Sequence, residues 1–359
     1  STHTLPGLVD VHVHLRYPGG THKETIQTGT AAALAGGVTA VLGMPNTNPP
    51  LTDGDALDAA LAHVALEARC DVGLYLGAAD GNAAAVAVAA DRSCGLKVYL
   101  NDTFGKLRIE TLAALRPHFE AWPRGRPIVL HAEDLNVATA IGLGRVYDQW
   151  VHIAHVSRAE EIVLIRAAKD AGLRVTCEVA PHHLFLTEDN APRLGPLGDM
   201  RPRLATSADR DALWAHLEAV DCIATDHAPH TLDEKASPEP PPGVPGLETT
   251  LPLLLTAVEA GGLSLARLIE LTSTRPAALF DVPTAAESSV EVEVGPEWAL
   301  PERGWQTKPD WSPFAGWRVR GRVVRTTLRG AVAWEEGQLL AAPGSGRVLF
   351  GRRFPREEE

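Results

Sequence analysis

Cysteine is scarce. Cys70, Cys94, Cys177 and Cys222 are scattered through 359 residues without a CxxC pair or a dense framework. That argues against disulfides and predicts four small, buried, apolar thiols in a reducing cytoplasmic setting. Basic charge is also in deficit, with 33 Lys and Arg against 45 Asp and Glu and a net charge of -12. The sign is wrong for a nucleic-acid or anionic-membrane surface, so any anionic ligand needs a local basic cluster. No apolar run reaches membrane-spanning length, and no basic, apolar, small-residue leader opens the chain; a soluble protein without a secretion signal is expected. A Gly-x-Gly-x-x-Gly turn after the first apolar run is missing too, which weakens a doubly wound dinucleotide-binding sheet. No repeat recurs at solenoid spacing.

What is present is a long alternation of short β-rich runs with Ala-rich helical stretches. The runs are 7–14, 37–44, 70–77, 95–100, 127–131, 150–156, 174–180 and 221–226. Helical patterns at 24–35, 55–68, 110–119, 134–143, 158–171 and 207–219 separate most of them. Eight strand–helix repeats in a chain of this length predict an α/β fold, a (β/α)8 TIM barrel over residues 5–287. Beyond it, Val290-Glu291-Val292-Glu293-Val294 and the alternating Val and Arg of 317–333 predict a small C-terminal β-rich appendage, 288–345, packed on the barrel. Residues 346–359 read as a flexible tail, and the proline-rich stretch 237–246 as a stiff loop after the eighth strand.

The ionisable residues on these strands gather at their carboxyl ends. His12 and His14 close the first strand, Lys97 lies in the fourth, His131 ends the fifth, His155 the sixth, Glu178 the seventh and Asp226 the eighth. Alone, a His-x-His pair is more often an incidental feature of a short apolar strand. In a barrel, however, these ends converge on one mouth. Burying so many charges without an ion is costly, whereas divalent cations use them all as ligands. Lys97 reads two ways. It is either an amine reaching for solvent or, among metal-binding histidines, a carbamate formed with CO2 that bridges two ions. Asp226 suits proton transfer beside a metal, or else caps a loop. Arg16, Asn46 and His230 could form a carboxylate clamp, although each alone reads as a turn or surface residue.

These segments resemble the cyclic-amidohydrolase superfamily, and within it the dihydroorotases of animal-type multifunctional pyrimidine-synthesis proteins. The resemblance is carried by 5–16 (LPGLVDVHVHLR), 18–24 (PGGTHKE), 44–47 (MPNT), 95–101 (GLKVYLN), 131–133 (HAE), 176–184 (TCEVAPHHL), 226–230 (DHAPH), 241–243 (PPG) and 245–249 (PGLET). It extends from residue 5 to about 280. By this resemblance the chain is expected to cyclise N-carbamoyl-L-aspartate reversibly to L-dihydroorotate in pyrimidine biosynthesis. Two Zn2+ ions per chain are implied: one on His12, His14, the Lys97 carbamate and Asp226, the other on the same carbamate, His131 and His155. Asp226 becomes the acid/base. Arg16, Asn46 and His230 would hold the substrate carboxylate, Arg201, Pro242 and Gly243 would line the ring through their main chains, and Thr103 and Phe104 match the tip of a closing lid. A homodimer is implied, as is either a domain of a larger polypeptide or a free-standing relative.

Departures matter as well. Ala154 stands where the animal enzymes carry a cysteine, so a third zinc involving His131 and Glu178 lacks a soft ligand, and two ions are expected. Tyr17 replaces the acidic residue usual after the arginine. The alternatives are a dihydropyrimidinase, hydantoinase or allantoinase, against which Arg16, Asn46 and His230 argue, and an inactive scaffold. The retention of all six ligand positions, Asp226 among them, argues against the scaffold.

Overall fold

The computed structural model describes residues 1–283 and 287–350. The amino-terminal strand β1 (Thr2–Pro6) precedes eight short parallel strands: β2 (Leu8–Val13), β3 (Val38–Gly43), β4 (Asp71–Leu74), β5 (Leu76–Gly77), β6 (Leu96–Tyr99), β7 (Ile128–His131), β8 (Val151–Ile153) and β9 (Val175–Val179). Strand β10 (Cys222–Ile223) completes the parallel set. They form two sheets, in the orders β2-β3-β4 and β5-β6-β7-β8-β9-β10. Every residue of these strands is buried, as expected for parallel strands covered on both faces.

The expected strand 70–77 is divided at Tyr75. Its N–H donates to Gly43 while that of Leu76 donates to Gly95, so the chain changes neighbours there. The Tyr75 hydroxyl donates to the Val11 carbonyl at 2.7 Å, which anchors the change from inside. At the other edges, β2 and β10 meet through a parallel bridge between Val13 and His227 and a His14 N–H to His227 carbonyl bond of 2.8 Å. Asp10 adds side-chain bonds from the Thr225 N–H and hydroxyl. Val11, Leu42, Val129, Ala154, Cys222 and Ala224 belong to an inner apolar cluster. Removing each Val or Leu side chain from water contributes about 1.5–3 kcal/mol.

All six expected helices are present, with ends set by caps. Thr25 accepts from Thr28 N–H to start Ile26–Ala35, and Asp53 accepts from Ala56 N–H to start Gly54–Glu67. Helix one therefore begins two residues after the expected Glu24, which turns inward instead.

The appendage is a five-stranded antiparallel sheet containing β11 (Ser289–Ala299), β12 (Arg318–Leu328), β13 (Ala331–Glu335) and β14 (Gln338–Leu339), in the order β1-β11-β12-β13-β14. Val290, Val292 and Val294 face the core while Glu291 and Glu293 face outward, the alternation read in the sequence. Two expectations need correction. Leu5 and Pro6 belong to this sheet, paired with Val290 and Ser289, and not to the parallel set. Residues 346–350, expected to begin a flexible tail, are packed: Val72 N–H donates to the Arg347 carbonyl, and Leu349 N–H to that of Val72. The apolar Val348 and Leu349 give this segment something to bury. The remainder of the expected tail, 351–359, lies outside the described residues. The sheet sits tightly on the helix Thr250–Glu259, where a Cβ on Gly321 would lie 2.5 Å from that of Leu255.

Candidate active site

Three residues at the strand ends adopt left-handed backbone although none is glycine: Arg16 (φ 61°), His155 (φ 33°) and Asp226 (φ 48°). Such conformations cost about 1–3 kcal/mol each and persist where surrounding structure imposes them, often at functional sites.

His12 and His14 alternate along β2 with Val11 and Val13 and converge on Asp226. Their Nε2 atoms lie 3.0 and 3.1 Å from its Oδ1. The other ring nitrogens are occupied: His12 Nδ1 is 2.7 Å from Glu178 Oε2, and His14 Nδ1 is 2.8 Å from Asn46 Oδ1. A ring held by one nitrogen presents the other to a ligand, which is how metal-binding histidines are oriented. One donor atom from each of His12, His14 and Asp226 falls within 4.8 Å of the others. Nearby, His155 Nε2 and His131 Nδ1 face each other at 3.1 Å, His155 Nδ1 lacks a hydrogen-bond partner, and His131 Nε2 is 2.8 Å from Glu133. This donor set of imidazoles and a carboxylate fits a divalent cation such as zinc.

The electrostatics agree. Burial and the Lys97 charge push His12 down, but Asp226 and Glu178 outweigh them and raise it to about 9. Burial wins at His14, lowered to about 4 with Arg16 beside it, and at His131 and His155, both lowered. Burial alone would raise Asp226, yet contact with His12 and His14 holds it well below the carboxylate range. The pocket thus contains ionised carboxylates and mostly neutral imidazoles. Lys97, 1% exposed, lies with Nζ 5.1 Å from the centre of the Tyr99 ring. Burial lowers it to about 8 despite Glu178 and Asp226, and its charge is felt at His12, His131 and His155.

Glu178, at the end of the seventh expected strand, spans His12 and His152, with His12 Nδ1 at 2.7 Å from Oε2 and His152 Nε2 at 3.1 Å from Oε1. Ala154 packs in the inner apolar cluster and supplies no donor. The Glu178 carboxylate therefore orients His12. Glu178→Gln is expected to weaken zinc affinity about 10–100-fold in a chelator competition; unchanged affinity would remove that role.

The clamp residues also meet. Arg16 donates through Nε to the Pro229 carbonyl at 3.1 Å, and its Nη2 lies 3.1 Å from His230 Nε2. Asn46 joins them to the loop at 103–104 through an Nδ2 bond of 3.0 Å to the Phe104 carbonyl. The Phe104 ring lies 5.0 Å from that of His230 and 4.9 Å from the Arg16 guanidinium. Thr103 lines a small cavity with Asn46 and Phe104. The carbonyl of Pro242 lies 2.9 Å from His230 Nε2, and Gly243 N–H donates to Asp199, two residues from Arg201. The Arg201 side chain donates through Nη1 to Asp199 and to the Met200 carbonyl.

Sequence reasoning missed four participants, Glu133 partly buried and the others buried: Glu133 on His131, His152 on Glu178, Glu24 on His227 at 2.9 Å, and Lys23 on His230 at 2.9 Å. Only Glu133, two residues beyond a strand-end histidine, carried a local signal.

A family model described as dihydro-orotase-like matches residues 2–115. The dihydroorotase of Pyrococcus abyssi (strain GE5 / Orsay) is 35% identical over 359 residues, covering 96% of this chain and 87% of its own. The chain belongs to the dihydroorotase family. Multifunctional protein CAD of Squalus acanthias is 51% identical over 344 residues, 96% of this chain, and this dihydroorotase-family chain spans 15% of that protein's length. Among solved structures, an L-hydantoinase (dihydropyrimidinase) from Arthrobacter aurescens superposes with TM-score 0.90 at 26% identity, covering 96% of this chain and 88% of its own. An inactive dihydroorotase-like domain of the Chaetomium thermophilum CAD-like multifunctional protein superposes with TM-score 0.82 at 28% identity, covering 97% and 99%.

Proposed function

We propose that this chain cyclises N-carbamoyl-L-aspartate reversibly to L-dihydroorotate, as a zinc-dependent amidohydrolase on a closed (β/α)8 barrel. The observation that carries the reading is the donor pair Arg16 Nη2 and His230 Nε2, 3.1 Å apart beside the His12, His14 and Asp226 cluster. A substrate that keeps a free carboxylate two carbons from the reacting carbonyl uses both at once. The bridge between β2 and β10 and the change of partner at Tyr75 support closure of the barrel.

In this reading His12, His14 and Asp226 hold one zinc, His131 and His155 the other, and a carbamate on Lys97 serves both. Zinc bound there supplies Lewis-acid polarisation of the carboxyl group that becomes the ring carbonyl. Arg16, Asn46 and His230 hold the carboxylate that survives, and the main chains of Arg201, Pro242 and Gly243 line the ring. Asp226 takes the proton from the attacking ureido nitrogen and returns it to the departing oxygen, and one further proton drawn from solvent lets that oxygen leave as water. Thr103 and Phe104 close over the substrate and exclude solvent. Cyclisation turns a dianion into a monoanion and consumes one proton, so acidic conditions favour synthesis. A reducing cytoplasm suits the four buried free thiols. A homodimer belongs to this reading by the family resemblance alone, and the long multifunctional relatives support a place within a larger pyrimidine-synthesis polypeptide.

The test is incubation of zinc-loaded protein with N-carbamoyl-L-aspartate at mildly acidic and alkaline pH, with a chelated control and dihydroorotate quantified by chromatography. Zinc-dependent product, more abundant in acid, is expected. Its absence from folded, zinc-occupied protein would favour the second reading, an inactive domain, for which the Chaetomium neighbour is a precedent. Arg16→Ala is expected to raise KM about tenfold or more while moving kcat less; an unaltered KM would take Arg16 out of the clamp.

A further inference from the structure

Lys23 lies between the end of β2 and the helix Ile26–Ala35 and is only 5% exposed. Its Nζ is 2.9 Å from His230 Nδ1, forms an ion pair with Glu234 and lies 4.9 Å from the centre of the Phe104 ring. Arg16, His230 and Phe104 thus surround a second cation that the clamp described above does not use.

An ammonium carries donors and no acceptor. His230 Nδ1 must therefore be the accepting nitrogen. Burial, followed by the charges of Arg16 and Lys23, holds His230 far below the usual imidazole range, so the ring is neutral and has one proton to place. That proton belongs on Nε2, where it meets the Pro242 carbonyl at 2.9 Å. Arg16 Nη2 approaches the same nitrogen to 3.1 Å. Two N–H donors consequently lie side by side, so an entering carboxylate oxygen accepts from Arg16 Nη2 and shares the Nε2–H with the Pro242 carbonyl. With the proton on Nδ1 instead, a lone pair on Nε2 would face the carboxylate and repel it.

We infer that Lys23 is a positioning residue for the substrate carboxylate, locking His230 as its Nε2–H tautomer so that His230 and Arg16 donate together. The inference rests on the dihydroorotase reading of the site. Glu234 steers the Lys23 ammonium, and is itself fixed by the N–H and hydroxyl of Thr231. The loop tip at Phe104 covers the same group of cations, so the ion pairs formed with substrate are shielded from water.

The experiment compares zinc-loaded wild type, Lys23→Met and Lys23→Arg by L-dihydroorotate hydrolysis and by 15N NMR of labelled histidine, with the His230 signals assigned by their loss in His230→Gln. Wild type is expected to show a bare Nδ1 and a protonated Nε2. Lys23→Met is expected to mix the tautomers and raise KM about tenfold, with kcat changing less than about threefold. Lys23→Arg, which restores a donor, should recover most of both readouts. A protonated Nδ1 in wild type overturns the inference, as does Lys23→Met with unaltered His230 shifts and KM, or with the whole loss in kcat. Should wild type fail to turn over dihydroorotate, the functional reading falls, while the wild-type and variant spectra still decide the tautomer.

Discussion

Asp226→Asn is expected to leave a folded protein that retains substrate affinity but turns substrate over ~10³-fold more slowly, the range for loss of a positioned acid/base. The substitution conserves shape and removes charge. Asp226 lies 3.0 and 3.1 Å from the two Nε2 atoms of His12 and His14, so the isosteric amide disturbs their placement little. What it cannot do is accept and return a proton. The native carboxylate starts ionised, because its contacts with His12 and His14 overcome the burial that would protonate it. Zinc content measured beside kcat separates the two roles proposed for this residue. Reduced turnover at full zinc occupancy identifies proton transfer, whereas a loss that tracks zinc identifies ligation alone. Activity within tenfold of wild type would remove Asp226 as the acid/base.

The alternation of β runs with helices was legible because parallel strands buried on both faces need continuous apolar runs, and these stand out between polar helix faces. The site was legible for the same reason: a histidine, lysine or carboxylate at the end of such a run has no packing explanation. Strand β1 was not legible. Of its five residues only Leu5 is buried, and its partner strand begins near residue 289. Lys23 and Glu24 were missed because adjacent charges in a Gly- and Thr-rich loop ordinarily face solvent. Their burial is explained by Glu234 and His227, 211 and 203 residues away in the chain, and no local pattern encodes those meetings. Glu178 was placed on the right strand, but its contacts with His12 and His152 were not read. Periodicity assigns a face, not which of two neighbouring histidines a carboxylate on that face will touch.

Lys97→Ala is expected to lower zinc from two per chain to at most one and to reduce turnover by ~10³-fold or more. At 1% exposure this amine is surrounded by imidazoles proposed as ligands to cations, and as an ammonium it would repel the ions they hold. Burial lowers it to about 8, against the pull of Glu178 and Asp226, which favours the neutral amine over an exposed lysine. Only the neutral amine can add to CO2: the N–C bond forms, the nitrogen loses a proton to solvent, and the neutral amine becomes the anion that the proposed pair of zinc ions requires. Lys97→Arg, which cannot form the carbamate, should be as inactive as alanine. A short carboxylic acid added to Lys97→Ala should restore part of both zinc binding and activity, since it supplies the missing anion without the side chain. Zinc content by mass spectrometry and the 13C signal of protein prepared with labelled CO2 give readouts independent of turnover. Two zinc ions per chain and full activity in Lys97→Ala would show that the bridge is not needed. Lys97 would then be a buried amine whose burial requires another explanation.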